Sequence, residues 1–145
     1  MSAVRLRNAV PEDLEMVTAF LTAAGLPAAG VAEHLGSFLI AEKDKECVGV
    51  GGLEIYGDVA LLRSLAVRQQ ERNIGIGATL LEQLMTNAHS RGVLRLVLLT
   101  TTAEHYFVRK GFVRIDRSAL SGPITGSKEF TGACPSTAVC MELSI

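Results

Sequence analysis

The sequence is short of net charge. Its 14 lysines and arginines are set against 15 aspartates and glutamates, giving −1 at neutral pH. The positive residues are scattered, so nucleic-acid binding is not expected. No uninterrupted apolar stretch approaches the roughly 20 residues needed to cross a bilayer. The opening "MSAVRLRNAVPED" lacks the apolar core of a secretion signal. The chain therefore reads as soluble and cytoplasmic, with no membrane partner. Its three cysteines, Cys47, Cys134 and Cys140, match neither a disulfide framework nor a zinc spacing. No metal is expected, and buried, reduced thiols are the plain reading. A thiol site for a soft metal or metalloid would need Cys134 and Cys140 to converge. Repeats, low-complexity tracts and a second domain are also absent. With 48% hydrophobic and 20% charged residues, the 145-residue chain reads as a single domain, 1–145, able to bury a core.

What is present is a regular alternation of elements. "VRLRNA" reads as a strand, and Pro11 opens a helix striped by Leu14, Val17, Phe20 and Leu21. "VAEHL" reads as a short second helix. Three strand-like runs follow, broken at "KDKE" and at "YGDV", where Gly57 and Asp58 suit a two-residue hairpin turn. That turn makes Tyr56 face Val59, Glu54 face Leu61, and Gly52 face Arg63. Leu81, Leu84, Met85 and Ala88 then keep helical spacing. "VLRLVLLTTT" reads as a strand buried on both faces. "AEHYFVRKG" is a short helix, "FVRID" and "STAVCMELSI" are two more strands, and 117–135 is irregular. The order predicts an α/β fold: a mixed sheet with helices on both faces.

Two glycines in "RNIGIGATLL" stand where a helix starts, although glycine costs roughly 1 kcal/mol there against alanine. A strand, a short loop and a glycine-bearing first helical turn make an anion site, because the first amides lack internal partners and the helix dipole favours negative charge. Arg72 adds a cation beside them. A turn needing glycine only for its geometry remains the alternative. No lysine follows as in a P-loop, and the third glycine of the dinucleotide fingerprint is missing.

"RNIGIG" fits the pattern Arg/Gln-x-x-Gly-x-Gly/Ala, directly follows a strand ending "LAV", and is followed by "AEHYFVRKGF". Together these resemble the GNAT superfamily of acetyl-CoA-dependent N-acetyltransferases across nearly the whole chain. The resemblance implies a mostly antiparallel sheet of six to seven strands, splayed between the fourth and fifth. It implies a pyrophosphate on the amides of Arg72, Asn73, Ile74, Gly75, Ile76, Gly77 and Ala78. The pantetheine arm of acetyl-CoA would run along Leu65, Ala66 and Val67, with Phe107 also at the cofactor. "LLTTTAEHYFVRKGFVRID" and "STAVCMEL" resemble the acetyltransferase domain of N-acetylglutamate synthases. "LLRSLAV", "LLTTTAE" and "CPSTAVCM" resemble small acetyltransferases linked to arsenic resistance. The implied reaction is acetyl transfer to the primary amine of a small amino-acid-like acceptor, such as glutamate or an arsenic-containing glutamate analogue. A non-catalytic acyl-CoA-binding module is the rival.

Many GNAT enzymes carry a general-acid tyrosine five residues before the phenylalanine of "GF". Phe107 stands there, and the tyrosine is one place earlier, rotated about 100° around the helix. His105, Tyr106 and water are the candidates for the acid, with a surface histidine and a core aromatic as the structural alternatives. Glu54 and Arg63 fall on one sheet face as diagonal neighbours. They form either a structural ion pair or an acceptor site, in which Arg63 binds a carboxylate and Glu54 takes a proton. Ser64 and Thr100, on the two splayed strands, are further acceptor-side candidates. The synthases tend to have a carboxylate within the strand matching "LLRSLAV", and this chain has none. Segment 117–135 would cover the acceptor or pack on a second subunit, with the last strand as a dimer-forming edge.

Overall fold

The computed structural model describes residues 3–72 and 74–145. Its strands are β1 (Arg5–Asn8), β2 (Phe38–Lys43), β3 (Glu46–Tyr56), β4 (Val59–Val67), β5 (Arg95–Thr100), β6 (Val113–Ile115) and β7 (Val139–Ser144). Four α-helices join them: α1 (Leu14–Ala23), α2 (Val31–His34), α3 (Ile76–Ser90) and α4 (Glu104–Arg109). One seven-stranded sheet results, in the order β1-β2-β3-β4-β5-β7-β6. Among the described residues, β4 and β5 alone run parallel.

Local chemistry sets the register. Asp44 and Lys45 both take left-handed φ, 52° and 67°, so a two-residue turn matching the strand twist joins β2 to β3. The next turn uses Gly57 (φ 68°) and gives the expected partners, Tyr56↔Val59, Glu54↔Leu61 and Gly52↔Arg63. Pro11 starts a single 3₁₀ turn rather than α1 itself. Asp13 ends that turn, accepting from the Val10 amide at 2.7 Å and from both Arg7 terminal nitrogens at 2.8 and 2.9 Å.

Each face of the sheet buries a separate layer. On one face Leu80, Leu81, Leu84 and Ala88 of α3 meet Leu53, Leu62 and Leu96, with Phe107 and Phe112 alongside. Gly51 lets α3 come close, since a Cβ there would lie 2.9 Å from Leu84. On the other face Val17, Leu21 and Val31 cover Phe38, Ile40 and Val50. Beyond them, Leu120 and Ile124 of the irregular segment cover Leu61, Val97 and Cys140. Strand β5 is thus buried from both sides, as its apolar run predicts.

Two irregularities in β4 open the middle of the sheet. The β3–β4 register shifts between Val50↔Ala66 and Gly52↔Arg63, so Ser64 and Leu65 together oppose Gly51. This is a bulge, with Ser64 held at φ 61°. In addition, β4 pairs with β5 only at Val59, Ala60 and Leu61. Past Leu61 the strands part, leaving that edge of Leu62–Val67 without a β5 partner. One expectation is corrected: β7 is not an edge strand. It lies between β5 and β6, and its backbone pairs on both sides. A dimer formed by adding a strand to β7 is therefore ruled out by hydrogen-bond saturation.

Candidate functional site

Where β4 and β5 part, a cleft of about 580 Å³ opens. One wall is Leu65, Ala66 and Val67, and another is the start of α3, Gly75 to Ala78. Ala24 and Leu26 of the α1–α2 loop close one side, with Tyr106, Phe107 and Arg109 of α4 opposite. Gly75 caps α3 in the left-handed conformation (φ 88°, ψ 8°), which a side chain would strain. Among the described residues no side chain caps this helix, and the Thr79 amide donates to the Gly75 carbonyl at 3.0 Å. Among the described residues no partner is found for the amides of Ile76, Gly77 and Ala78, the arrangement in which a helix start can hold an anion. Gly77 keeps the cleft open, because a Cβ there would lie 3.6 Å from Val67 and 3.7 Å from the Tyr106 hydroxyl.

Tyr106 is the informative residue in this cleft. Its hydroxyl is buried yet has no hydrogen-bond partner among the described residues. Its ring packs edge-on against Phe107 at 5.2 Å, with the Lys110 ammonium 5.4 Å from the ring centre. Burial pushes the phenol above its ordinary pKa, so the hydroxyl stays a donor. An orphaned donor aimed into a cleft is expensive unless a ligand satisfies it. Phe107 supplies an apolar patch of cleft wall and packs on Phe112 at 5.5 Å.

On the opposite face of the sheet, close to the parting of β4 and β5, is a buried polar cluster. The Arg63 side chain is 0% exposed and Glu54 is 1% exposed. Arg63 Nη1 donates to Glu54 Oε2 at 2.7 Å and to the Ala29 carbonyl at 2.7 Å. Nη2 donates to the Pro27 carbonyl at 3.0 Å, and Nε to Ser64 Oγ at 2.9 Å. Glu54 also accepts from Tyr56 in a short hydrogen bond, and His34 Nε2 lies 3.7 Å away. Burial drives the Glu54 carboxyl upward, but hydrogen bonds from Tyr56, Arg63 and Ser127 outweigh it and hold the group below its ordinary value. Glu129 approaches Arg63 Nε at 3.3 Å. Its carboxyl is pushed up, chiefly by burial.

Several of the expected residues are engaged by the protein itself. Arg63 does not present a free fork, since four of its five N–H groups bond to the protein. It ties the bulge to the α1–α2 loop, and Ser64 is used up holding it. The Thr100 hydroxyl accepts from the Ala103 amide at 3.0 Å, fixing the turn into α4. His105 is exposed on α4 and off the cleft lining. Arg72 lines the cleft, with Nε donating to the Val67 carbonyl at 3.2 Å. Ile76 also anchors the core, whereas Ile74 points outward at 61% exposure. Asn73 lies outside the described residues. Cys134 sits against Glu129, and burial pushes its thiol up to about 12. Cys140 is packed in the core, and burial pushes it up as well. Among the described residues no three His, Cys, Asp or Glu side chains are grouped to hold a metal. No described helix is long and apolar enough to cross a membrane.

Residues 34–114 match the family model described as "Acetyltransferase (GNAT) domain". The chain belongs to the GNAT acetyltransferase family. A protein of Chlorobaculum tepidum named as an uncharacterized N-acetyltransferase is 28% identical over 79% of this GNAT chain and 72% of its own length. The amino-acid acetyltransferase of Neisseria meningitidis is 29% identical over 67% of this chain, but only 22% of that relative is covered. This GNAT domain thus spans about a fifth of the length of such relatives. Among solved structures, N-acetylglutamate synthase from Neisseria gonorrhoeae, complexed with coenzyme A and N-acetyl-glutamate, superposes with a TM-score of 0.83. It shares 23% identity over 99% of this chain and 35% of its own. A Mycobacterium tuberculosis protein solved with CoA gives a TM-score of 0.77 at 21% identity, covering 97% of this chain and 99% of its own.

Three site residues, Ser127, Glu129 and His34, carried no sequence signal. Ser127 and Glu129 lie in a stretch without periodicity. His34 ends a four-residue helix, and the bulge falls on a serine rather than a glycine. Only the cost of leaving Glu54 and Arg63 buried could have hinted that more polar partners were needed.

Proposed function

We propose that this domain binds acetyl-CoA in the cleft between β4 and β5 and transfers its acetyl group to the primary amine of a small, amino-acid-like acceptor. The observation that carries the reading is the cleft itself. It joins an uncapped, glycine-lined helix start to an unpaired strand edge, with an orphaned hydroxyl between. The amides of Ile76, Gly77 and Ala78 would hold the pyrophosphate, with Arg72 beside them. The free edge of β4 at Leu65–Val67 would pair with the amide-bearing arm.

Acetyl-CoA supplies a thioester carbonyl that an unprotonated amine attacks directly. The protein's part is to hold both reactants, stabilise the developing oxyanion and move two protons. Tyr106 would donate its hydroxyl hydrogen to the departing sulfur, the role that Phe107 cannot fill. Glu54 is the carboxylate nearest the acceptor side. It is ionised and reaches the half-exposed His34, which gives a proton a way out to solvent. The Neisseria relatives, named for amino-acid acetylation and N-acetylglutamate synthesis, support an amino-acid-like acceptor. Glutamate and its phosphonate or arsonate analogues are the first to try.

Thiol release from acetyl-CoA on adding candidate amines tests the reading. A second reading, a module that binds acyl-CoA without turnover, is favoured by the internal pairing of every acceptor-side charge. Tight acetyl-CoA binding with no thiol release for any amine would select it.

A further inference from the structure

Segment 117–135 does more than cover the sheet. Two of its residues reach the Glu54–Arg63 pair: Ser127, whose hydroxyl accepts from the Glu129 amide at 3.2 Å, helps to lower the Glu54 carboxyl, and the Glu129 carboxylate lies 3.3 Å from Arg63 Nε. Ser127 and Glu129 are 3% and 4% exposed. The strands thus form a socket with a carboxylate beside a guanidinium. The segment fills it with a serine hydroxyl near the carboxylate and a carboxylate beside the guanidinium. An α-amino acid has the same polarity, ammonium next to carboxylate.

The filling is also loosely held. Arg63 Nε already donates to Ser64, so Glu129 takes no hydrogen of its own from the guanidinium. Among the described residues its other oxygen has one hydrogen-bond partner, the Cys134 thiol at 3.6 Å. One Nη2 hydrogen of Arg63 has no partner among the described residues. A buried carboxylate with so little compensation costs stability, and such costs collect at functional sites. The socket sits where the job needs it, since Glu54 pairs with Leu61, the last β4 residue joined to β5.

We propose that Ser127 and Glu129 are an internal stand-in for the acceptor, displaced by a zwitterionic α-amino acid that sets its ammonium on Glu54 and its carboxylate on Arg63. This rests on the acetyltransfer reading for its purpose, but not for its test. Displacement frees 127–134, which gives the acceptor a way in beneath a segment bounded by Gly122 and Gly132, both at positive φ.

The experiment compares wild type, Glu129→Gln and Ser127→Ala. The acceptors are the proteinogenic α-amino acids with phosphonate analogues, and the matching α-decarboxylated amines. Glu129→Gln removes a buried charge and is expected to fold. It should lower KM for the amino-acid acceptor about five- to tenfold, because the competing internal state is lost. KM for the decarboxylated amine should fall less, because the amine has no carboxylate to set on Arg63 in place of Glu129. In parallel, hydrogen exchange across 127–134 of wild type should speed up on adding the amino acid and not on adding the amine. An unchanged or raised KM for both classes overturns the proposal, as does unchanged exchange with every amino acid. Absence of thiol release from any amine defeats the acetyltransfer reading separately, and hydrogen exchange then decides the stand-in alone.

Discussion

Replacing Arg63 with methionine should cost about 3–5 kcal/mol of unfolding free energy. Methionine refills most of the volume of the aliphatic stem, so the loss comes from what is stranded. Glu54, 1% exposed, loses its charged partner at 2.7 Å. Glu129 loses its nearest cation, and the Pro27 and Ala29 carbonyls lose their donors. A domain of this kind has about 5–15 kcal/mol in total, so the variant should sit close to the edge of folding. The deficit should also depend on pH. Without Arg63 the Glu129 carboxyl, already raised by burial, rises further, so folding then takes up protons and the penalty shrinks as pH falls from 8 to 5. Urea unfolding followed by circular dichroism, with the slope m unchanged, reads both effects. Adding Glu54→Gln and Glu129→Gln should recover much of the loss. A deficit below about 1 kcal/mol, or one indifferent to pH, would refute the claim that Arg63 works by holding buried carboxylates.

Other outcomes can be measured more simply. Tyr106→Phe should lower kcat about tenfold or more while leaving acetyl-CoA affinity close to wild type, and an unchanged kcat removes Tyr106 as the donor to the leaving sulfur. The Asp13 carboxyl is held at about 2, below its ordinary 3.8, chiefly by hydrogen bonds from Arg7. Its folded pKa is depressed, so its stabilisation is complete above the ordinary value and lost as pH falls through about 2. Asp13→Asn should flatten that part of the acid-unfolding curve. Cys134→Ser with Cys140→Ser should leave acetyl-CoA binding intact, and a large loss would show that a thiol serves the donor side.

Much of the fold is readable in the chain because its signals are local. Gly57-Asp58 dictates the β3–β4 register, and with it the meeting of Glu54 and Arg63. "RNIGIG" marks the helix start, and the uniformly apolar "VLRLVLLT" reveals a strand covered on both faces. The acceptor side was harder to read because its contacts join residues far apart in sequence. Arg63 looks like a free cation until Pro27, Ala29 and Glu129 are brought against it. Tyr106 looks misplaced by one helical position. In space its hydroxyl reaches the Gly77 side of the cleft, while Phe107 turns partly into the core. The last strand looks like an edge because it ends the chain, but β6 returns outside it.

Acetyl-CoA titrated calorimetrically into wild type and Gly77→Val, with a melting curve for each, tests the central claim most directly. Gly77 has an ordinary helical φ and room for a Cβ at 3.6 Å, so the variant should fold and lose no more than about 1 kcal/mol. Gly75, at φ 88°, would confuse strain with binding and is the poorer choice. The account predicts clear binding by wild type and a loss of at least tenfold in Gly77→Val, roughly 1.4 kcal/mol or more. Equal affinity in a folded Gly77→Val protein would contradict it.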